Sequence, residues 1–454
     1  SKKYFQEYLR LAEEIKDKLK QCVAQNWLGS CVYERAQRTE DKAAAIELFE
    51  NASKKYFQEY LRLAEEIKDK QRKFIAQNWI GKCIYRQAEH TKQVAQRQKT
   101  LERLFNFQKE SIQADFLNIL NKNGETADSV QNSIIEILTV LNIWPYELDR
   151  LPLAHYTSPY VAELLFGLSD DNQAKPMRMN ISAYMNDPYE GKSLLDFVGQ
   201  TKLDVENKAR PNPYAAFFSC FSSRVNDLNQ FRLYGKENHV EASGCCLVFN
   251  QDKNFVGFSD LQASFTDLGG NQKAVVATPN TADGGEDTHN LFQVAYLAYE
   301  DDYTQFEAFN KDEVRKLNNG FFVYLKQIGH QAWHQLRLDR LQAALNQLQG
   351  QSGFDETALE TVRFLFKDFA FRDEEEFRCL KIKKLDADEV QCCNKSNNLY
   401  LEYGLVTDKV DEIILGTNYE NTETHRRREL FRYQIMEKYP NIKVSYSSLP
   451  INPK

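Results

Sequence analysis

Within Phe371-Arg372-Asp373-Glu374-Glu375-Glu376-Phe377-Arg378-Cys379-Leu380, four consecutive carboxylates stand between apolar ends. Read as a strand, the run puts Glu374, Glu376 and Arg378 on one face and Asp373, Glu375 and Phe377 on the other. One face thus carries a carboxylate pair beside a guanidinium; like charges at that spacing cost energy unless a cation, a metal or a cationic transition state uses them, so the run is a candidate site. The competing reading is a solvated edge strand whose charges block aggregation. Two histidines four apart, His330 and His334, have the spacing of metal ligands, but no carboxylate signature lies beside them and they read as packing or surface residues. No metal is expected. The cysteine pairs 245/246 and 392/393 point to opposite sides of a strand, which argues against a shared ion, and the nine cysteines read as reduced thiols of a cytoplasmic protein.

A chain of 454 residues exceeds one ordinary core and calls for two to four domains. Residues 1–150 carry a net charge of +3 and residues 151–454 one of −10, and an acidic C-terminal part speaks against nucleic acid as a partner. No run has membrane-spanning length and no signal peptide is visible, so no membrane partner is expected. Starting at Ser1 in the middle of a repeat, the chain reads as a fragment of something longer.

That repeat is the strongest organisational signal. Residues 1–18 recur letter for letter at 53–70, and Ala24-Gln25-Asn26-Trp27 returns as Ala76-Gln77-Asn78-Trp79, with Gly29, Cys31 and Tyr33 matching Gly81, Cys83 and Tyr85. Tyr4, Tyr8, Leu11 and Ile15, with Phe5, Leu9 and Ala12, form an apolar stripe at helical spacing that one unit cannot bury alone. The pattern resembles the tetratricopeptide repeat with a longer period, and implies a concave surface that docks a protein. Helical patterning runs on to a turn-rich stop at 121–126 and resumes from Ser129 to about Leu141; Pro145 and Pro152 then bracket a linker. The boundary is placed near 150, giving 1–150 as helical repeat and 151–454 as a second domain.

The second domain reads as short strands with intervening helices and no regular βαβ alternation, hence α+β. A strand over 153–157 ends at Ser158-Pro159, which caps a helix; further strands are expected over 215–222, 244–249, 412–416 and 442–445, with a basic helix at 425–428. No dinucleotide or phosphate-loop glycine motif is present, and Gly284-Gly285 reads as an acidic surface excursion.

His155-Tyr156-Thr157-Ser158, Met185-Asn186-Asp187-Pro188-x-Glu190, Cys220-Phe221-Ser222, Asp227 leading to Phe231-Arg232-x-Tyr234-Gly235, Gly244 with its strand, Glu374-x-Glu376-x-Arg378 and Glu412-Ile413-Ile414-Leu415-Gly416 occur in one order. As an ordered set they resemble the bacterial domain of unknown function 2971 family over about residues 150–450, with Phe231 where that family more often has Trp. A first-strand His-Tyr, a Ser-bearing strand and a late Glu-x-Glu strand are in turn similar to ADP-ribosyltransferases. That resemblance implies NAD as substrate. Glu376 would stabilise the ribosyl cation, Glu374 would take the proton of the nucleophile, and His155 would bind a ribose hydroxyl. Tyr156 would stack on nicotinamide, and Ser222 or Ser219 would steady the glutamate or the amide. Thr157 and Tyr234 would complete the pocket, and Arg232 or Arg378 would pair with pyrophosphate, unless Arg378 neutralises its own strand's glutamates. The implied activity is transfer of ADP-ribose to a protein held by the repeats, in the manner of a bacterial effector or toxin. An NAD glycohydrolase, or a non-catalytic repeat adaptor with a nucleotide- or peptide-sensing domain, is the alternative.

Overall fold

The computed structural model describes residues 2–120, 127–148, 151–169, 171–185, 187, 189–199, 214–249, 261–265, 268, 290–300, 312–351, 356–393, 397–419 and 427–451. The turn at 121–126, Asn186, Pro188, the Gly284-Gly285 loop, His425 and Arg426 lie outside them. The protein is mixed α+β, with a helical N-terminal region and sheets in the C-terminal part. Two compact units emerge. The first holds residues 1–114, 144–147 and 328–337; the second holds 115–143, 148–327 and 338–454. The division thus differs from a single cut near 150: helix Ser129–Leu141 belongs to the second unit, and Trp144–Glu147, read from its prolines as linker, is a buried part of the first.

The first unit holds helices α1 (Lys2–Glu14), α2 (Lys18–Gln37), α3 (Lys42–Asn51), α4 (Gln58–Glu66) and α5 (Lys70–His90), and α6 (Val94–Ile119) as far as residue 114. A wider π-type turn, Ala52–Phe57, joins α3 to α4. The duplicated letters differ at their start, where Lys54–Phe57 is π-helical and Lys2–Phe5 is α-helical, but end alike: Lys16 and Lys68 both adopt φ 54°, which ends the preceding helix. Asp17 then accepts from the Lys20 amide at 3.0 Å and Asp69 from the Arg72 amide at 2.9 Å, capping α2 and α5 alike. Glycine lets the copies meet. A Cβ on Gly29 would lie 2.5 Å from the Phe57 ring, and one on Gly81 would lie 2.6 Å from that of Tyr146. Within the unit Glu147 is buried, accepting from the Trp333 indole at 2.7 Å, the Trp144 amide at 2.8 Å and Gln108 at 3.2 Å. Each oxygen therefore has a donor, as a buried carboxylate requires.

The strands of the second unit are β1 (Asn142–Ile143), β2 (Leu153–Thr157), β3 (Met177–Ile181), β4 (Tyr214–Ser222), β5 (Cys245–Phe249), β6 (Leu291–Gln293), β7 (Ala295–Tyr299), β8 (Val314–Lys316), β9 (Phe321–Tyr324), β10 (Phe366–Asp368), β11 (Glu376–Lys384), β12 (Gln391–Cys393), β13 (Asn398–Gly404), β14 (Val410–Leu415) and β15 (Lys443–Tyr446). Among the described residues one sheet runs β1-β6-β11-β4-β2-β5-β14-β15, with β3, β13 and β12 branching from β4; a second runs β10-β7-β9-β8. Most pairs are antiparallel, while β14 with β15 and β10 with β7 are parallel. The longest ladder joins β11 to β4, Glu376 opposite Ser222 through Lys384 opposite Tyr214. On β4 every residue is aromatic or small, Tyr214-Ala215-Ala216-Phe217-Phe218-Ser219-Cys220-Phe221-Ser222, whereas β11 interleaves Phe377, Cys379, Leu380 and Ile382 with the charged Glu376, Arg378, Lys381, Lys383 and Lys384.

The expected strand–cap–helix at 153–165 is present, with Ser158 capping helix Pro159–Leu165 through the Val161 amide at 3.3 Å. Strands β4, β5, β14 and β15 fall where the sequence places them, and the basic stretch continues as helix Arg427–Lys438. The carboxylate run departs from its expected form. Phe369–Glu374 is a 3-10 helix capped by Asp368, Glu375 takes a left-handed φ of 44°, and the strand starts only at Glu376.

Candidate functional site

Five charged side chains meet on one face of the β4–β11 ladder: Glu190, Lys367, Glu374, Glu376 and Arg378, all buried. Their order follows from the backbone. Glu376 and Arg378 are two apart on β11 and share a face with Ser222 and Cys220 opposite them. Glu374 reaches the same place by another route. The left-handed Glu375 reverses the chain, and the Ser222 hydroxyl holds the Glu374 carbonyl at 2.6 Å. Lys367 comes from β10 in the second sheet.

Arg378 is fully buried, its guanidinium 4.4 Å from the Phe218 ring centroid. It grips Glu376 through Nε at 2.7 Å and Nη2 at 3.0 Å, and Glu190 through Nη1 at 2.6 Å and Nη2 at 3.1 Å. A bond from Nη1 to the Phe364 carbonyl brings all five N–H donors into use, so the residue neutralises its own strand's glutamate and leaves no donor over for a pyrophosphate. The Lys367 ammonium bridges Glu374 at 2.6 Å and Glu376 at 3.1 Å. Tyr234 donates its hydroxyl to the other oxygen of Glu374, and the Tyr296 hydroxyl accepts the Glu376 amide at 2.9 Å.

Three carboxyl groups thus face two cations, and the neighbours decide which of them stays ionised. Burial alone would raise Glu376, but Arg378 and Lys367 overcome it and hold this carboxyl well below the usual range. Burial dominates for Glu374 and pushes it up, Lys367 opposing and Glu376 assisting; Glu190 is raised by burial against the pull of Arg378. The neighbours thus hold the central carboxyl in its ionised form and push the two outer ones toward the protonated form. Such a pair, one carboxylate fixed as an anion and a second able to hold a proton, is the division of labour that acid–base catalysis uses.

Other residues named from the sequence lie elsewhere. His155 is on the opposite face, since Ala154 pairs with Ser222 and the His155 ring packs 5.7 Å from Phe221. Its Nδ1 is 2.9 Å from the Cys220 carbonyl, so that nitrogen carries the proton and Nε2 is left as an acceptor; burial lowers its pKa. Thr157 shares that side by alternation, as does Ser219, whose hydroxyl donates to the Arg178 carbonyl at 2.7 Å. Tyr156 does face the carboxylates' side but packs edge-on against Phe231 in the core, with its hydroxyl donating to the Arg224 carbonyl at 2.7 Å and accepting the Asp227 amide at 2.9 Å. It positions the turn before helix Leu228–Leu233, and with it Tyr234, rather than offering a stacking face. Arg232 is exposed on that helix and paired with Glu241 at 3.2 Å, apart from the cluster. The structure therefore joins Glu374, Glu376, Arg378, Ser222 and Tyr234, and separates them from His155, Thr157, Ser219 and Arg232.

Lys367 and Tyr296 went unnoticed in the sequence, and Glu190 was noted without a role. Lys367 follows the apolar run Phe364-Leu365-Phe366, where a single cation signals a buried partner; Tyr296 sits in an aromatic strand and gives no such signal. His330 precedes a helix, its Nδ1 accepting the Ala332 amide at 3.1 Å, and His334 is buried in the first unit. No cluster of three metal-ligating side chains occurs among the described residues, and no described helix is long and apolar enough to cross a membrane. Compared with protein-family models, curated proteins and solved structures, the chain matches none of them.

Proposed function

We propose that the second unit carries out NAD-dependent ADP-ribosyl transfer at the Glu374–Glu376 pair, onto a protein recruited by the helical repeats. The observation that carries this reading is geometric: two buried carboxyls, Glu374 and Glu376, are bridged by the one Lys367 ammonium at 2.6 and 3.1 Å, the second also gripped by Arg378 and the first met by the Tyr234 hydroxyl. Breaking the bond between ribose C1′ and nicotinamide leaves a neutral base and an oxocarbenium-like ribosyl cation; an acceptor oxygen or nitrogen bonds to C1′ and gives up its proton. Glu376, fixed as an anion, stabilises the cation. Glu374 takes the acceptor's proton, and Tyr234 aims it. Lys367 marks where a positive centre is held between the two, and in this reading the ribosyl cation takes over its pairing with Glu376. Water as acceptor gives the glycohydrolase form of the same step. The setting is a cytosol, a host's if the protein acts as an effector.

One observation favours a second reading, a binding module whose ionic network serves only to hold the sheets together. Arg378 has no N–H to spare, and Glu376 is 4% exposed. Incubation of the chain with NAD labelled on its adenine side and a cell lysate separates the two. Transferase chemistry releases nicotinamide and labels a protein band, and both fall by about two orders of magnitude or more in Glu376→Gln and in Glu374→Gln at unchanged circular dichroism. Full NAD cleavage in both variants would refute the assignment of the site. Silence in the wild type would favour the module.

A further inference from the structure

Four buried carboxyls have donors at both oxygens: Glu190, Glu374 and Glu376 in the charge cluster, and Glu147 in the first unit. Asp187 departs from them. It is 4% exposed, its Oδ1 accepts the Tyr189 amide at 2.8 Å, and its Oδ2, also hidden from solvent, has no hydrogen-bond partner. An orphaned acceptor of this kind is costly to bury, and a ligand that brings a donor removes the cost. The backbone ties this residue to the charge cluster. The Glu190 amide donates to the Asp187 carbonyl at 3.3 Å, and the Glu190 carboxyl is the one that Arg378 grips. Gly191 follows, with φ 76°; a Cβ there would lie 2.6 Å from the ring of Phe364, the residue whose carbonyl also accepts from Arg378. Two attachments to one guanidinium thus hold the turn that carries Asp187 beside Glu376.

We propose that Asp187 is a specificity-determining residue of the ADP-ribosyl transfer site, its Oδ2 accepting a hydrogen bond from the carboxamide N–H of the nicotinamide. On the NAD reading of the Glu374–Glu376 pair, on which this rests, the residue decides which pyridine base the site takes. The ribose hydroxyls beside the cleaved bond both donate and accept, and so pair with many partners. The carboxamide NH2 only donates, and an acceptor with no other duty is its complement. A base bearing a carboxylate in place of the carboxamide has no donor to offer Asp187, and leaves that oxygen orphaned. Since Asp187 is covered, the turn has to yield as the base enters.

Release of the free base from NAD and from nicotinic acid adenine dinucleotide, which carries that carboxylate, gives the test. The wild type favours NAD by about tenfold or more in kcat/KM. Asp187→Asn keeps an oxygen for the Tyr189 amide and offers NH2 to the base, so its KM for NAD rises about tenfold and its preference shrinks or reverses. Asp187→Ala weakens NAD without gaining the acid, at unchanged circular dichroism. Equal use of the two dinucleotides by the wild type, a measurement that needs no variant to fold, would overturn the assignment. So would an unchanged ratio in folded Asp187→Asn. Both outcomes leave NAD cleavage itself standing. A wild type that cleaves neither dinucleotide would refute the NAD reading and the role of Asp187 with it.

Discussion

Replacing Lys367 by Met leaves Glu374 and Glu376 without their shared cation, in a place where water cannot stand in for it. Loss of one partner from a buried ion pair costs about 3–5 kcal/mol, so chemical denaturation of Lys367→Met should show a drop of that order. An equal loss is not expected for Arg232→Met, whose exposed pair with Glu241 contributes about 0–1 kcal/mol. Tyr234→Phe addresses chemistry rather than stability. Burial raises Glu374, and the Tyr234 hydroxyl is one of the groups that pull it back down. Without that hydroxyl the carboxyl holds its proton to higher pH, and the base form appears later as pH rises. The acidic limb of the pH–rate profile for NAD cleavage should therefore move to higher pH in Tyr234→Phe, and a limb that stayed put would remove Glu374 from the role of base. For Glu376 the sign is reversed. A carboxyl depressed in the folded state contributes stability present above its unfolded value and lost as pH falls through the folded one.

At the level of elements, the repeats meet through glycine. Gly29→Ala places a methyl against the Phe57 ring, and Gly81→Ala places one against Tyr146. Alanine's better helix propensity, worth about 1 kcal/mol, is opposed by overpacking of about 1–3 kcal/mol, so both variants should melt at or below the wild-type temperature, not above it. A rise in melting temperature in either would show that the rings move aside without cost. The sheet has its own hinge residue. Glu375 is held in a left-handed conformation that costs a non-glycine residue about 1 kcal/mol, and it stays because the Ser222 hydroxyl, the Ser223 amide and the ion pairs with Arg224 and Lys326 fix both sides of the turn. This bend brings Glu374 to Lys367, so the charge cluster depends on a strand that begins only at Glu376, inside the run whose pattern suggests a strand from its start.

For the whole molecule, the division into units changes what a truncation means. Residues 328–337 belong to the first unit, where the Trp333 indole donates to Glu147 and the Phe105 ring lies 6.3 Å from it. A chain cut to 151–454 strips both partners from Trp333, and its emission should shift to longer wavelength relative to the full chain; an unchanged spectrum would show that the segment folds without them. The sequence by itself determined what nearest-neighbour physics can determine. The duplication, the helical stripe, the Ser158-Pro159 helix start and the apolar strands β4, β5 and β14 depend on periodicity and local hydrogen bonding, and all are legible in the letters. Which letters share a face across the sheet was not legible. Alternation fixes a side within one strand, but the pairing of Ala154 and of Glu376 with Ser222, which sends His155 one way and the carboxylates the other, is a matter of register between segments far apart in the chain. Lys367 and Glu190 joined the cluster for the same reason, and the burial of Tyr56 beside the exposure of Tyr4 shows the limit most plainly: one sequence, two environments, decided by what the fold sets against it.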